Sequence, residues 1–259
     1  MEGLIAITSA LGGVGKSTIA SHLAISLWEK GKRVLLIDAE ASAPSIDILF
    51  GLQEETVYTL SDVLAGTEPQ KAVLTVKDGL FILPSAVGAD IEEIPFLALS
   101  RLKKDLATDF ILLLSPRALA PSLSSLASVL LLVTTPEEKA LRATEALTLL
   151  LSEEPSKKQY FILNKTAPYK DALSDEPPLL DMIDQIGLPL LAVFPTEYEK
   201  RVLSPIPVVP HKRKSSNISR AALSLAERIL GQSVPLLSRI RLDGFSRRYY
   251  IERAKSKKD

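Results

Sequence analysis

The chain has 259 residues, a formal net charge of zero and 46% apolar residues, few of them aromatic, so it is long enough for one large domain with an aliphatic core. It contains no cysteine, and its two histidines, His22 and His211, lack any ligand spacing, which excludes thiol chemistry and disfavours a histidine metal site. No apolar run reaches the roughly 18 residues that a membrane-spanning helix needs.

Apolar runs without alternation mark the strands, because a strand covered by helices on both faces needs no polar side. In chain order we predict strand 4–8, helix 16–30, strand 33–38, helix 59–65, strand 79–84, helix 91–107, strand 109–115, strand 128–134, helix 136–152, strand 160–164, helix 179–186, strand 190–194 and helix 217–230. The proline-containing segment 165–178 is predicted to be a loop. The alternation predicts an α/β fold with a doubly wound, mostly parallel sheet flanked by helices.

The segment between the first strand and the first helix has the pattern of a phosphate-binding loop, Leu11-Gly12-Gly13-Val14-Gly15-Lys16-Ser17-Thr18. Its glycines let successive backbone N–H groups point inward, and the start of the helix adds partial positive charge. Lys16 is expected to reach the terminal phosphates and the Ser17 hydroxyl to ligate Mg²⁺. The strict pattern has a first glycine where Ala10 stands, but the strand–loop–helix context favours ATP or ADP binding with Mg²⁺ over a chance glycine-rich turn.

An ordered series of segments resembles the MinD/ParA family of deviant P-loop ATPases, and its MinD branch more than its plasmid-partition branch. Besides residues 12–18, the family-like segments are residues 33–40, 58–66, 79–84, 109–111, 115–116, 133–137, 194–195 and 207–209. The likeness covers roughly residues 3–231, so we expect a nucleotide-binding domain over residues 1–231, followed by a basic tail or helix over residues 232–259. The resemblance also implies a homodimer and a protein partner that the sequence does not identify.

The same resemblance assigns roles outside the loop. Asp38 matches the Mg²⁺-linked aspartate, with a capping role as the alternative. Glu40 matches, with a side chain one methylene longer, an aspartate that orients the attacking water, so Glu40 and Lys16 are the predicted catalytic residues. Asn164 occupies the place of an adenine-reading asparagine, with a strand-end turn as the alternative. Pro195 lies in the following loop on the base side of the nucleotide.

Three departures from the family pattern concern catalysis. Leu11 replaces a lysine that crosses the dimer interface, and Leu114 replaces an aspartate that supports the Mg²⁺ waters. Arg117-Ala118 replaces an Ala-Gly whose glycine amide approaches the γ-phosphate. Arg117 is read either as a surface arginine or as a substitute positive charge. The sequence therefore predicts nucleotide binding with weak or lost ATP hydrolysis.

The end of the chain is basic and partly apolar. Residues 233–259 carry eight Lys or Arg against three Asp or Glu, and Leu242, Phe245 and Tyr249 have helical spacing. In MinD-type proteins such a segment lies on the membrane surface, while the alternatives are a packed helix or a solvated tail. Without a signal peptide pattern, the sequence predicts a cytoplasmic protein, and the tail leaves open a peripheral position at the inner membrane face.

The pattern favours a nucleotide-gated positioning or scaffold protein over two alternatives. One is a ParA-like DNA-partition ATPase, but the body shows no broad basic patch in sequence beyond Lys212-Arg213-Lys214, so nucleic acid is a less favoured partner. The other is a binding module that keeps the fold without using nucleotide, and the retained Gly15-Lys16-Ser17-Thr18 argues against it.

Overall fold

The computed structural model describes residues 1, 3–89, 91, 93–116, 126–151, 158–166, 177–196, 206 and 216–236. Its strands are β1 (Leu4–Thr8), β2 (Val34–Asp38), β3 (Leu74–Lys77), β4 (Leu80–Leu83), β5 (Phe110–Leu114), β6 (Val129–Thr134), β7 (Lys158–Thr166) and β8 (Leu190–Pro195). They form one sheet in the order β3-β4-β2-β5-β1-β6-β7-β8, and every neighbouring pair is parallel except β3 with β4. The predicted doubly wound, mostly parallel sheet is confirmed.

Helices cover both faces of this sheet. Within the described ranges they are α1 (Lys16–Glu29), α2 (Ile46–Phe50), α3 (Leu60–Leu64), α4 (Pro69–Ala72), α5 (Phe96–Asp105), α6 (Glu138–Leu151), α7 (Leu179–Ile186) and α8 (Asn217–Ile229). Helices α1, α2 and α8 contribute to one apolar cluster, and α3, α5, α6 and α7 contribute to the other. Burial on both faces explains why the central strands are apolar without alternation. None of the described helices is long and apolar enough to cross a membrane.

The structure corrects several predicted boundaries. Strand β3 was not predicted, because it is a four-residue edge strand whose side chains alternate between half-buried and exposed. The short helices α2 and α4 were also missed. The predicted helix 91–107 begins only at Phe96, since Pro95 before it is extended. In the predicted loop 165–178, Lys165 and Thr166 belong to β7, and residues 167–176 lie outside the described ranges.

The carboxyl ends of the central parallel strands meet at one edge of the sheet. The loop after β1 leads directly into α1, the loop after β2 occupies residues 39–45, and Ser115 and Pro116 follow β5. The backbone N–H of Ser115 donates to Ile7 in β1, and that of Ala39 donates to Leu114 in β5. In open α/β sheets, ligands bind outside this edge where the strand order reverses.

Candidate functional site

The loop between β1 and α1 needs glycine at two positions. Gly13 and Gly15 have φ angles of 75° and 94°, in the left-handed region that side chains rarely adopt. A Cβ atom at Gly15 would also collide with the amide nitrogen of Asn164. That nitrogen donates to the carbonyl of Val14 at 2.7 Å, so the end of β7 is hydrogen-bonded to the backbone of the loop.

Lys16 is the first residue of α1, and its side chain turns back into the site. The residue is 9% exposed. Its ammonium donates to the Ser9 hydroxyl at 3.0 Å and to a Glu40 carboxylate oxygen at 2.8 Å. Ser9 in turn donates to the carbonyl of Leu11 at 2.7 Å, so the lysine is connected to the ends of both β1 and β2.

A cavity of about 540 Å³ opens over the loop. This volume lies in the range of small-molecule sites. The cavity brings together the predicted phosphate-binding residues and the loop after β2. Its lining consists of Ser9, Ala10, Leu11, Gly12, Gly13, Val14, Gly15, Lys16, Ser17, Thr18, Glu40, Ser42, Ala43, Ser45, Leu49 and Pro116.

Asp38 ends β2 beside the cavity and is fully buried. Its two carboxylate oxygens accept the backbone N–H groups of Glu40 at 2.9 Å and Ser45 at 3.2 Å. Burial raises the pKa of Asp38 to about 6, although the N–H donors of Glu40, Ser45 and Ile46 oppose the rise. The carboxylate thus fixes the loop after β2, as a capping residue would.

Glu40 is held by two hydrogen-bond donors. Ser42 donates to one carboxylate oxygen at 2.6 Å, while Lys16 donates to the other. Burial acts to raise the pKa of Glu40, but the hydrogen bonds from Lys16 and Ser42, together with the attraction of the Lys16 charge, outweigh it and hold that pKa below its ordinary value. The carboxylate therefore stays ionised across the neutral range.

The two residues predicted on the base side, Asn164 and Pro195, lie at the ends of neighbouring strands. Asn164 pairs with Phe194 in the β7–β8 register, and Thr166 pairs with Pro195. Neither Asn164 nor Pro195 lines the cavity over the loop. Asn164 instead contacts the loop backbone at the carbonyl of Val14.

Lys165 is a site residue that the sequence analysis placed in a loop without a role. Its φ angle is 56°, which is uncommon for a residue other than glycine. Its ammonium donates to the carbonyl of Gly13 at 2.7 Å. Its adjacency to Asn164 was not a sufficient signal, because successive side chains of a regular strand point to opposite faces and the irregular register between Asn164 and Thr166 is a property of the fold.

Two positions that depart from the family pattern, Leu11 and Leu114, belong to the apolar packing around the site. Leu114 is fully buried, lies in register with Asp38, and belongs to the same apolar cluster as Val14 and Ile19. Leu11 packs against that cluster and lines the cavity. Arg117 and Ala118 lie outside the described residues.

Comparison with known sequences finds relatives that cover nearly the whole chain. A family profile described as "ParA: NUBPL iron-transfer P-loop NTPase" matches residues 1–80. The septum site-determining protein MinD of Synechocystis is 31% identical over 248 residues, with 92% of each chain covered. That of Thermotoga maritima is 32% identical over 251 residues, with 91% of each chain covered.

Solved structures resemble the whole domain. MinD in the MinC:MinD cell division complex of Aquifex aeolicus matches with a TM-score of 0.75 and 27% identity, covering 90% of this chain and 97% of that chain. MinD of Pyrococcus horikoshii, complexed with Mg-ADP, matches with a TM-score of 0.71 and 29% identity, covering 88% of this chain and 96% of that one.

Proposed function

Because the chain belongs to the MinD branch of the MinD/ParA family of P-loop ATPases, we propose that it is a nucleotide-gated positioning or scaffold protein that binds ATP or ADP with Mg²⁺ and hydrolyses ATP slowly or not at all. One observation carries the proposal. A phosphate-binding loop that keeps Gly15, Lys16 and Ser17 stands beside a fully buried leucine, Leu114, in register with Asp38. In the proposed site the groups that bind nucleotide are kept, while Leu11 and Leu114 stand where the family pattern has catalytic side chains.

The residues of the loop fit a nucleotide phosphate with Mg²⁺. The close approach of Gly15 to Asn164 leaves no room for a side chain, and Lys16 places a positive charge at the start of α1. In the proposed site Ser17 ligates Mg²⁺, Asp38 supports it, and the phosphates contact Gly12, Gly13, Val14, Gly15, Lys16, Ser17 and Thr18. A bound Mg²⁺ would supply positive charge that offsets the charge of the phosphates. Asn164 and Pro195 are proposed on the base side.

Hydrolysis needs more than this binding set. A leucine at position 114 cannot accept a hydrogen bond from a metal-bound water, because its side chain has no acceptor. Leu11 offers no charge to a phosphate in the transition state. Each such electrostatic contact is worth about 3 kcal/mol, or roughly 100-fold in rate. Glu40 and Lys16 remain as the polar groups that act on the attacking water and the γ-phosphate.

Calorimetric titration with Mg-ATP and a steady-state phosphate-release assay test the proposal on the same preparation. We expect saturable binding at one site together with turnover well below the roughly 1 s⁻¹ of an ordinary enzyme. Turnover at or above that rate would contradict the slow-hydrolysis proposal. Absence of any binding heat over a range of temperatures would favour a module that keeps the fold without using nucleotide.

The partners proposed for this chain are based on its relatives and not on contacts within the structure. The Aquifex aeolicus relative was solved as a MinC:MinD complex, and we propose that this chain also engages a protein partner and forms a homodimer. Leu11 replaces the lysine that would cross such a dimer interface, so its apolar side chain at the cavity rim would contribute packing instead of charge.

The beginning of the tail is attached to the domain. The guanidinium of Arg228 donates to the carbonyls of Val234 at 2.9 Å, Pro235 at 2.7 Å and Leu191 at 2.9 Å. Leu236 packs against the apolar cluster that contains α6 and α7. A truncation that tests the tail should therefore end after Leu236, so that these contacts are kept.

We expect deletion of residues 237–259 to abolish binding to anionic vesicles, because it removes all eight basic residues of the tail. Co-sedimentation with phosphatidylcholine vesicles, with and without phosphatidylglycerol, measures the effect. The truncated protein should keep its affinity for Mg-ATP, which serves as the control for folding. If the full-length chain does not bind anionic vesicles, with or without ATP, the tail is a packed helix or a solvated segment.

A further inference from the structure

The lysine of the phosphate-binding loop already has an anionic partner in the structure. Its ammonium lies 2.8 Å from the Glu40 carboxylate, and the two side chains are only 10% and 17% exposed. Glu40 is positioned independently of this contact, since its own backbone N–H donates to Asp38 and Ser42 donates to its other oxygen. The carboxylate is thus held in the cavity where a phosphate would meet the lysine.

We infer that Glu40 is an intramolecular competitor of the nucleotide phosphates for Lys16, so that it sets the affinity of the site and its dependence on ligand charge. The inference rests on the proposed nucleotide-binding function. It adds a role in binding to the water-orienting role that the family resemblance gives this residue.

Electrostatics decides the direction of the effect. Any phosphate oxygen that accepts a hydrogen bond from Lys16 must lie about 3 Å from its nitrogen. Glu40 occupies the same distance range, so phosphate and carboxylate would be close neighbours of like charge in a site partly shielded from water. Binding must therefore break the ion pair or accept this repulsion, and either event weakens the affinity.

The length of the side chain makes the competition specific to glutamate. An aspartate at position 40 would end one carbon–carbon bond, about 1.5 Å, earlier along the chain. With the backbone held by Asp38, it would no longer reach the lysine at hydrogen-bond distance. The family pattern has aspartate here, so the extra methylene of Glu40 is what closes the ion pair.

Release of Glu40 has a consequence for the loop after β2. Residues 39–45 are connected to the phosphate-binding loop through the Lys16–Glu40 pair and to β2 through Asp38. When phosphate takes the lysine, the loop keeps its backbone hydrogen bonds to Asp38, Leu114 and Gly88, while the side chain of Glu40 loses its connection to the phosphate-binding loop. The contacts of the loop after β2 therefore depend on whether a phosphate occupies the site.

Calorimetric titration of Mg-ATP and Mg-ADP into four proteins tests the inference. They are the wild type, Glu40→Gln, Glu40→Asp and the control Glu54→Gln, which makes the same charge change at an exposed residue after α2. We expect Glu40→Gln to lower the Kd for ATP about tenfold, or about 1.4 kcal/mol. The effect on ADP should be smaller, because ADP brings less charge to the lysine. Glu40→Asp should act in the same direction, and Glu54→Gln should match the wild type.

Two outcomes separate this inference from the proposed function. If the wild type binds ATP and neither Glu40 variant binds it more tightly, Glu40 does not compete and the inference is wrong, while the proposed function stands. If the wild type and all variants fail to bind either nucleotide, the proposed function itself is wrong. An equal decrease in the Kd for ATP and for ADP would also contradict the dependence on ligand charge. A general loosening of the fold, unlike the loss of a competing charge, would affect both nucleotides equally.

Discussion

Replacing Lys16 with alanine should weaken ATP binding by at least about 100-fold, or about 2.7 kcal/mol. The ammonium is the buried cation at the start of α1, and charge-assisted hydrogen bonds to phosphate are the strongest that a side chain makes in such a site. The loop glycines and the helix start remain in the variant, so residual binding should come from backbone N–H groups alone. Calorimetric titration with Mg-ATP measures the change.

Lys165→Ala is the matched comparison for this experiment. Its ammonium also contacts the loop, at the carbonyl of Gly13, but its side chain lies on the exposed side. We expect it to weaken binding less than tenfold, because no phosphate needs to meet this nitrogen. Thermal unfolding of both variants checks that the fold is kept. Equal affinities of wild type and Lys16→Ala for ATP would show that nucleotide does not use this loop.

Introducing an aspartate at position 114 should destabilise the protein without ligand, and Mg-ATP should reverse part of that loss. Leu114 is fully buried in an apolar cluster, so an ionised carboxylate there should lower the free energy of unfolding by about 3–5 kcal/mol without ligand. Mg-ATP should recover much of this loss, because the carboxylate then has a metal-bound water as a partner. Thermal unfolding with and without Mg-ATP measures both effects.

The combination of Leu114→Asp with Leu11→Lys should raise turnover by on the order of 100-fold over wild type. The two residues act on the same transition state, so the double variant should exceed the product of the two single effects. Leu114→Asn is the control, because it is similar in size and polar but uncharged. A double variant that releases phosphate no faster than the asparagine control would show that hydrolysis is limited elsewhere. Arg117 would then be the next residue to change.

The loop and the strands around it were predictable because their signals are local. Short apolar runs identified seven of the eight strands in the described part of the chain, and Gly-Lys-Ser-Thr between a strand and a helix identified the phosphate-binding loop. Strand β3 was not predicted, because a short edge strand with one exposed side resembles a surface loop in composition. Helix 91–107 was predicted too long because its apolar spacing continues upstream of Pro95, whereas the backbone before a proline-started helix is extended.

The sequence by itself determined the fold class, the family and the residue types available to a nucleotide, because each depends on neighbours within one element. The tertiary structure alone decided which of these residues meet. The Lys16–Glu40 pair joins positions 24 residues apart, and the Asn164–Val14 contact joins positions 150 apart. Both depend on the order of strands in the sheet, with β1 between β5 and β6, and no local periodicity encodes that order. The length of the Glu40 side chain matters only in the folded protein, because the ion pair with Lys16 forms only where the fold brings the two charges within reach.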